Sequence, residues 1–225
     1  MFRPLSVCFV LISLVCSLRA AAPIEIPNRV IVSVHDQKLM LLLNGARVAT
    51  YPVSTSKFGL GDALGRMTTP LGYLAVAQKI GDHAPVGAVF HNRRFTGEIL
   101  QPNAPGRDPV ITRIIWLRGL ESQNAHAFGR CIYIHGTPEE KLIGRPASYG
   151  CIRMKSNDVA TLYNQLSLGA LVQIVPDRLP NVPKASKATL ATQPEGTTND
   201  WITSARSSPK SATAPAVIAQ NRPRA

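Results

Sequence analysis

Arg29-Val30-Ile31-Val32-Ser33-Val34, followed by Lys38-Leu39-Met40-Leu41-Leu42-Leu43 and the pair Asn44-Gly45, decides the fold class. The first run carries β-branched residues in alternation. The second is apolar throughout. Asn-Gly supports the two left-handed residues of a tight hairpin turn, so the pattern predicts a β-hairpin returning through Arg47 to Val53. Working outward, Ser54 to Thr69 is Gly-rich and polar and reads as a loop. Thr69-Pro70-Leu71-Gly72-Tyr73 opens a strand that continues to Val76, and Val110–Leu117 and Arg130–His135 read as further strands. Gly81–Arg107 is rich in Gly and Pro and reads as a long irregular lid over a cleft. Ser156 is placed to cap a short helix, with Val159, Leu162, Tyr163 and Leu166 on one apolar face. Gly169 stops that helix, and Leu171–Val175 closes the domain as a strand. The chain is therefore mainly β, with one or two short helices and a long lid loop.

The two ends differ from this middle. Residues 1–22 have a basic start at Arg3, an apolar run from Leu5 to Leu18 and small residues at Ala20 and Ala22. That is the pattern of a cleaved signal peptide, and the run falls short of the roughly 20 apolar residues that a membrane span needs. Residues 177–225, with Pro180, Pro183, Pro194, Pro209, Pro215 and Pro223 among Ala, Ser, Thr and Lys, read as a disordered tail. The globular part is 29–176.

The chain has 225 residues, 45% of them hydrophobic, and a formal charge of +12. A basic exported protein can meet nucleic acid, lipid or an anionic wall polymer. Without aromatic residues interleaved with the basic ones, or a nucleic-acid motif, nucleic acid ranks last. His35, His83, His91, His126 and His135 are scattered without ligand spacing, so no metal and no cofactor is expected.

Chemistry concentrates in Ser148-Tyr149-Gly150-Cys151-Ile152-Arg153-Met154 and in His135-Gly136-Thr137, whose histidine lies sixteen positions before the cysteine. A cysteine beside a glycine turn can face a cleft, and a histidine from a separate strand can take its proton. Removal of the leader leaves Cys131 and Cys151. Export favours a disulfide between them. However, four strand residues separate Cys131 from His135, or about 13 Å. If His135 touches Cys151, Cys131 is then too far to bridge and is expected in the core.

From Arg29 to Val175 the chain resembles the L,D-transpeptidase catalytic-domain family (YkuD-like), which remodels bacterial peptidoglycan. The resemblance rests on Gln37-Lys38-Leu39, Pro52-Val53-Ser54-Thr55, Thr69–Tyr73, Thr112-Arg113 and the two motifs above, in that order. It implies a β-sandwich-like fold with the cysteine in a cleft under a lid. It also implies that Cys151 attacks the carbonyl of the third, L-centred residue of a tetrapeptide stem and expels D-alanine. An amine then takes the acyl group. His135 is the expected base. Backbone N–H groups around Gly150 and Cys151 are the expected oxyanion donors. Gly150 leaves room for the substrate backbone, and Arg153 either holds a substrate carboxylate or braces the loop. Gly136 and Thr137 orient His135, Ser148 bonds across the turn, and a backbone carbonyl holds the histidine. The family usually has histidine where this chain has Tyr149. Water as acceptor, giving a carboxypeptidase or endopeptidase, and a non-catalytic wall-binding module are the alternatives. The expected partners are peptidoglycan stem peptides, and the expected location is the periplasm or envelope of a bacterium.

Overall fold

The structure, a computed structural model, describes residues 28–186. Ten strands form one mixed hydrogen-bonded network: β1 (Arg29–Ser33), β2 (Lys38–Leu43), β3 (Ala46–Pro52), β4 (Gly72–Ile80), β5 (Ala88–His91), β6 (Arg94–Ile99), β7 (Val110–Gly119), β8 (Tyr133–Gly136), β9 (Ile152–Met154) and β10 (Leu171–Val175). Their order is β3-β2-β1-β10-β4-β7-β5-β6, and the network branches at β7, which also pairs with β8, itself paired to β9. β1 and β10 run parallel, as do β8 and β9. One α-helix, α1 (Ser156–Gln165), and two single-turn 3-10 helices at Ser122–Asn124 and Glu140–Leu142 complete the described elements.

The opening hairpin forms as its composition dictates. Asn44 and Gly45 take φ of 47° and 79°, the left-handed pair that matches strand twist. The unbroken apolar run of β2 has a specific cause. Leu39 and Leu41 face the main core with Val30 and Val32 of β1. Met40 and Leu42 face the opposite side with Ile31, where Leu179 and Val182 cover them. Both faces are buried, so the strand shows no alternation.

That cover comes from residues composition assigns to the tail. After β10, Leu179 N–H donates to Asp36 Oδ2 at 2.9 Å, and Ser33 Oγ donates to the Asp177 carbonyl at 2.6 Å. Arg47 N–H donates to the Pro183 carbonyl at 2.9 Å, and Ala185 N–H to the Arg47 carbonyl at 2.8 Å. The compact unit extends to Ala185. Two apolar side chains and four backbone bonds order a stretch whose prolines read as disorder. The expected leader and the tail beyond Ser186 lie outside the described residues.

Two further expectations change. The segment expected to be an irregular lid contains the β5–β6 hairpin, turned at Asn92 and Arg93 with φ of 47° and 65°. Arginine replaces the usual glycine of that turn, which hid it. Ser156 is the first residue of α1 rather than its cap: Lys155 holds the cap position, and Ser156 N–H donates to the Glu140 carboxylate at 2.9 Å. The carboxylate offsets the positive end of the helix and fixes α1 against the Glu140–Leu142 turn. Its buried Val159, Leu162 and Tyr163 then pack into the main core against β7 and β8.

Candidate active site

The nucleophile candidate sits where one rigid segment is zipped to another. Residues 147–153 run beside 53–57. Ala147 and Ser148 N–H both donate to the Thr55 carbonyl at 3.0 Å, and Lys57 N–H donates to the Ser148 carbonyl at 3.1 Å. Ser54 and Arg153 exchange a pair of backbone bonds at 2.9 Å each. Within the turn, Ser148 Oγ donates to the Cys151 carbonyl at 2.6 Å and accepts from Gly150 N–H at 3.2 Å. Thr69 Oγ1 donates to the Gly150 carbonyl at 3.0 Å. Gly150 has φ of +122°, and a Cβ there would lie 3.2 Å from the Thr68 carbonyl oxygen. The missing side chain therefore makes room for the protein's own 67–68 segment, and the left-handed backbone requires glycine. Arg130 holds that segment in place: its guanidinium donates to the carbonyls of Arg66 and Thr68 at 2.7 Å each and to Asp62 at 2.7 Å.

Cys151 lies immediately before β9, and His135 lies in β8, with Ile134 opposite Ile152 and His135 opposite Arg153 in the parallel ladder. Tyr133 N–H donates to the Cys151 sulfur at 3.4 Å, and the thiol donates to the Cys131 carbonyl at 3.3 Å. His135 is 5% exposed, and its Nδ1 lies 2.8 Å from the Gly136 carbonyl oxygen. A carbonyl only accepts, so Nδ1 carries the hydrogen and Nε2 carries the free lone pair. Gly136 is dictated by close approach: a Cβ there would lie 2.8 Å from the Ile111 carbonyl oxygen. That carbonyl belongs to an irregularity in β7, where the register with β8 shifts between Ile111 and Ile114 and Thr112 takes φ of 70°. Bulges beside functional residues commonly aim a side chain. Thr112 Oγ1 secures this one, accepting from Gly87 N–H and donating to Ser156 Oγ, both at 3.0 Å.

Behind the histidine lies a charge cluster around the buried Arg153. Thr137 Oγ1 donates to Asp108, and Arg153 pairs with Asp108 and, at 3.1 Å, with Glu139. Arg153 is 2% exposed. Both carboxylates meet its Nη1, an arrangement that fits bracing of the loop. Tyr149 lies outside, 57% exposed, with Lys57 Nζ 4.4 Å above its ring and the Phe58 ring centroid 5.6 Å away.

Burial sets the resting protonation. It lowers the His135 pKa, against the opposing pull of the Gly136 carbonyl and Asp108, with Arg153 adding to the lowering. Burial also pushes the Cys151 thiol up to about 11, against Tyr133 N–H, which favours the thiolate. The pair rests as neutral thiol and neutral imidazole.

The family model for the L,D-transpeptidase catalytic domain matches residues 27–174. The chain belongs to the L,D-transpeptidase catalytic-domain family. It is 28% identical over 148 residues to YqjB of Bacillus subtilis (strain 168), named as an L,D-transpeptidase, covering 66% of this chain and 71% of that one. It is 27% identical over 134 residues to YcfS of Escherichia coli (strain K12), named likewise, covering 57% of this chain but only 37% of the relative. Among solved structures, an L,D-transpeptidase from Mycobacterium smegmatis aligns with a TM-score of 0.42 at 17% identity, covering 66% of this chain and 58% of that one.

Within this transpeptidase domain the structure brings Cys151, His135, Gly136, Gly150 and Ser148 together, with Thr137 and Arg153 behind them and Tyr149 on the outer face. Cys131 departs from its expected place. The strand starts at Tyr133, not at Arg130, and Cys131 turns with φ of 58°. It is half-buried, and its carbonyl touches the Cys151 sulfur. The chain bends there, so the length of a straight strand does not separate the two cysteines. Sequence reasoning also missed Asp108, at the end of the lid segment, and Arg93, at its hairpin tip. The Arg93 guanidinium stacks 4.8 Å above the Trp116 ring and reaches Tyr133 Oη at 3.4 Å. The Asn92-Arg93 turn was the available signal for the second.

Proposed function

We propose that this chain is an exported cysteine acyltransferase that remodels peptidoglycan. Cys151 attacks the L-centre carbonyl of the third residue in a tetrapeptide stem, D-alanine leaves, and an amine takes the acyl group from the sulfur. His135 Nε2 accepts the thiol proton as the bond forms and returns it to the departing amine. It then deprotonates the incoming amine. Gly150 N–H is already engaged by Ser148, so Cys151 N–H is the turn donor assigned to the oxyanion, a contact worth about 3 kcal/mol in comparable sites. Tyr149, Lys57 and Phe58 form the wall beside the nucleophile that an acceptor would meet. The leader pattern at residues 1–22 supports export to the bacterial envelope.

The observation that carries this reading is the register of β8 against β9, with Tyr133 N–H on the Cys151 sulfur and His135 two residues further on, its Nδ1 anchored on a carbonyl. The test is incubation of the protein with a disaccharide-tetrapeptide and mass analysis of the products. A cross-linked dimer with released D-alanine supports transpeptidation. A tripeptide product alone would assign water as acceptor, and unchanged substrate would defeat the reading.

A further inference from the structure

Outside the proposed reaction, the site holds a second sulfur. Both cysteines are free thiols among the described residues, and both pack against the cluster of Ala88, Phe90, Ile114, Trp116 and Tyr133. Cys131 takes a left-handed backbone, which side chains other than Gly, Asn and Asp seldom adopt. The turn is enforced by Arg130 N–H on the His126 carbonyl at 2.8 Å, Cys131 N–H on the Phe128 carbonyl at 3.0 Å and Ile132 N–H on the Ala127 carbonyl at 3.0 Å. Its effect is to bring the Cys131 main chain against the Cys151 sulfur, at 3.3 Å. That contact makes the two residues near neighbours, and a disulfide needs Cα atoms about 4.4–6.8 Å apart. The Arg93 guanidinium lies 3.8 Å from the Cys131 sulfur. A cation beside a partly exposed sulfur is the surrounding in which cysteines react.

We propose that Cys131 and Cys151 form a reversible redox pair, in which an intramolecular disulfide shuts the nucleophile and protects it from irreversible oxidation. With a hydroperoxide as oxidant, the Cys131 sulfur attacks the terminal peroxide oxygen. The O–O bond breaks, the leaving oxygen departs as water or alcohol, and Cys131 becomes a sulfenic acid. The Cys151 sulfur then attacks the Cys131 sulfur. The S–S bond forms, the S–O bond breaks, and hydroxide leaves as water with the Cys151 proton. Two thiols and one peroxide give one disulfide, with two electrons passing to the peroxide. A dithiol reductant reverses the closure. Closure itself is independent of the reaction proposed above, whereas its consequence, loss of acyl transfer, rests on that reading.

The test uses the full chain with Cys8→Ser and Cys16→Ser, so that only Cys131 and Cys151 report. The reduced protein is exposed to a small excess of hydrogen peroxide, then followed by intact mass, thiol titration after denaturation and peptide mapping. The expected result is a loss of about 2 Da and of both titratable thiols, a mapped Cys131–Cys151 link and full recovery with dithiothreitol. Adding Cys131→Ser should instead leave Cys151 to gain about 32 Da irreversibly. Cys131→Ala, with its melting curve, repeats that arm should the serine variant misfold. Gain of the same mass at Cys151 with and without Cys131 would overturn the proposal, and so would a link formed between chains. Mass and thiol count need no substrate, so closure in a protein that never acylates would retain this inference and sink only the transferase reading.

Discussion

At the residue scale, the consequence of burial is a site that waits in its neutral form. The rate at which a small uncharged thiol reagent labels Cys151 should climb with pH toward about 11, well above the 9.0 of an open thiol. Acylation by tetrapeptide should instead hold down to mildly acidic pH, because the lowered pKa keeps His135 neutral below its ordinary 6.5. A labelling midpoint near neutrality would show a preformed ion pair and contradict this. The same histidine links stability to acid. The unfolded chain takes up a proton near 6.5 that the folded chain refuses, so its contribution is complete above that pH and falls as pH drops through it. Arg153→Lys keeps a charge but loses Nη1, the nitrogen that meets both Asp108 and Glu139, and disturbing such a pair costs up to about 3 kcal/mol. Tetrapeptide acylation and labelling by the small reagent should fall by the same fraction. A loss confined to the tetrapeptide would return Arg153 to substrate binding. Cys151 and His135 stood out because the proposed chemistry needs those residue types beside a glycine turn. Asp108 was not, because its role arises only when β7 and β8 bring a distant loop end behind the histidine.

At the element scale, the β7 irregularity at Thr112 packs closely against the bare Gly136 beside the histidine. Gly136→Ala puts a methyl 2.8 Å from the Ile111 carbonyl oxygen. Backbone cannot retreat cheaply, so the variant should lose about 1–3 kcal/mol of stability, and its acylation rate should fall further than its folded fraction. An unchanged melting temperature would show that the strand pair is looser than its register implies. Strands read from periodicity formed nearly where expected, and the opening hairpin followed from Asn44-Gly45. Two of the misreadings share one cause: non-glycine residues in left-handed backbone. Cys131 and Arg93 both take that conformation, at 58° and 65°, where their residue types give no warning. One bent a supposed strand, and the other hid a hairpin in a supposed lid loop.

For the whole molecule, the boundary that matters is Ala185 and not Pro176. Leu179 and Val182 cover Ile31, Met40 and Leu42 of the first two strands. Ending the chain after Pro176 should expose that face and cost about 2 kcal/mol, or roughly 4–8 °C in melting temperature. Ending it after Ser186 should leave the melting temperature unchanged. Equal melting of both truncations would show that the cover contributes nothing. Composition could not reveal this, since two apolar residues among prolines form no periodic pattern. Only the doubly buried β2 run hinted that something must cover its outer face. The proposed transferase depends on Cys151 being the acyl carrier. The direct measurement is the intact mass of the reduced protein after brief exposure to tetrapeptide, beside a folded Cys151→Ser variant. The expected result is an adduct of the stem less its terminal D-alanine on the unmodified protein, mapped to Cys151, and no turnover in the variant. Turnover by the serine variant equal to that of the unmodified protein, or an adduct mapped elsewhere, would contradict it.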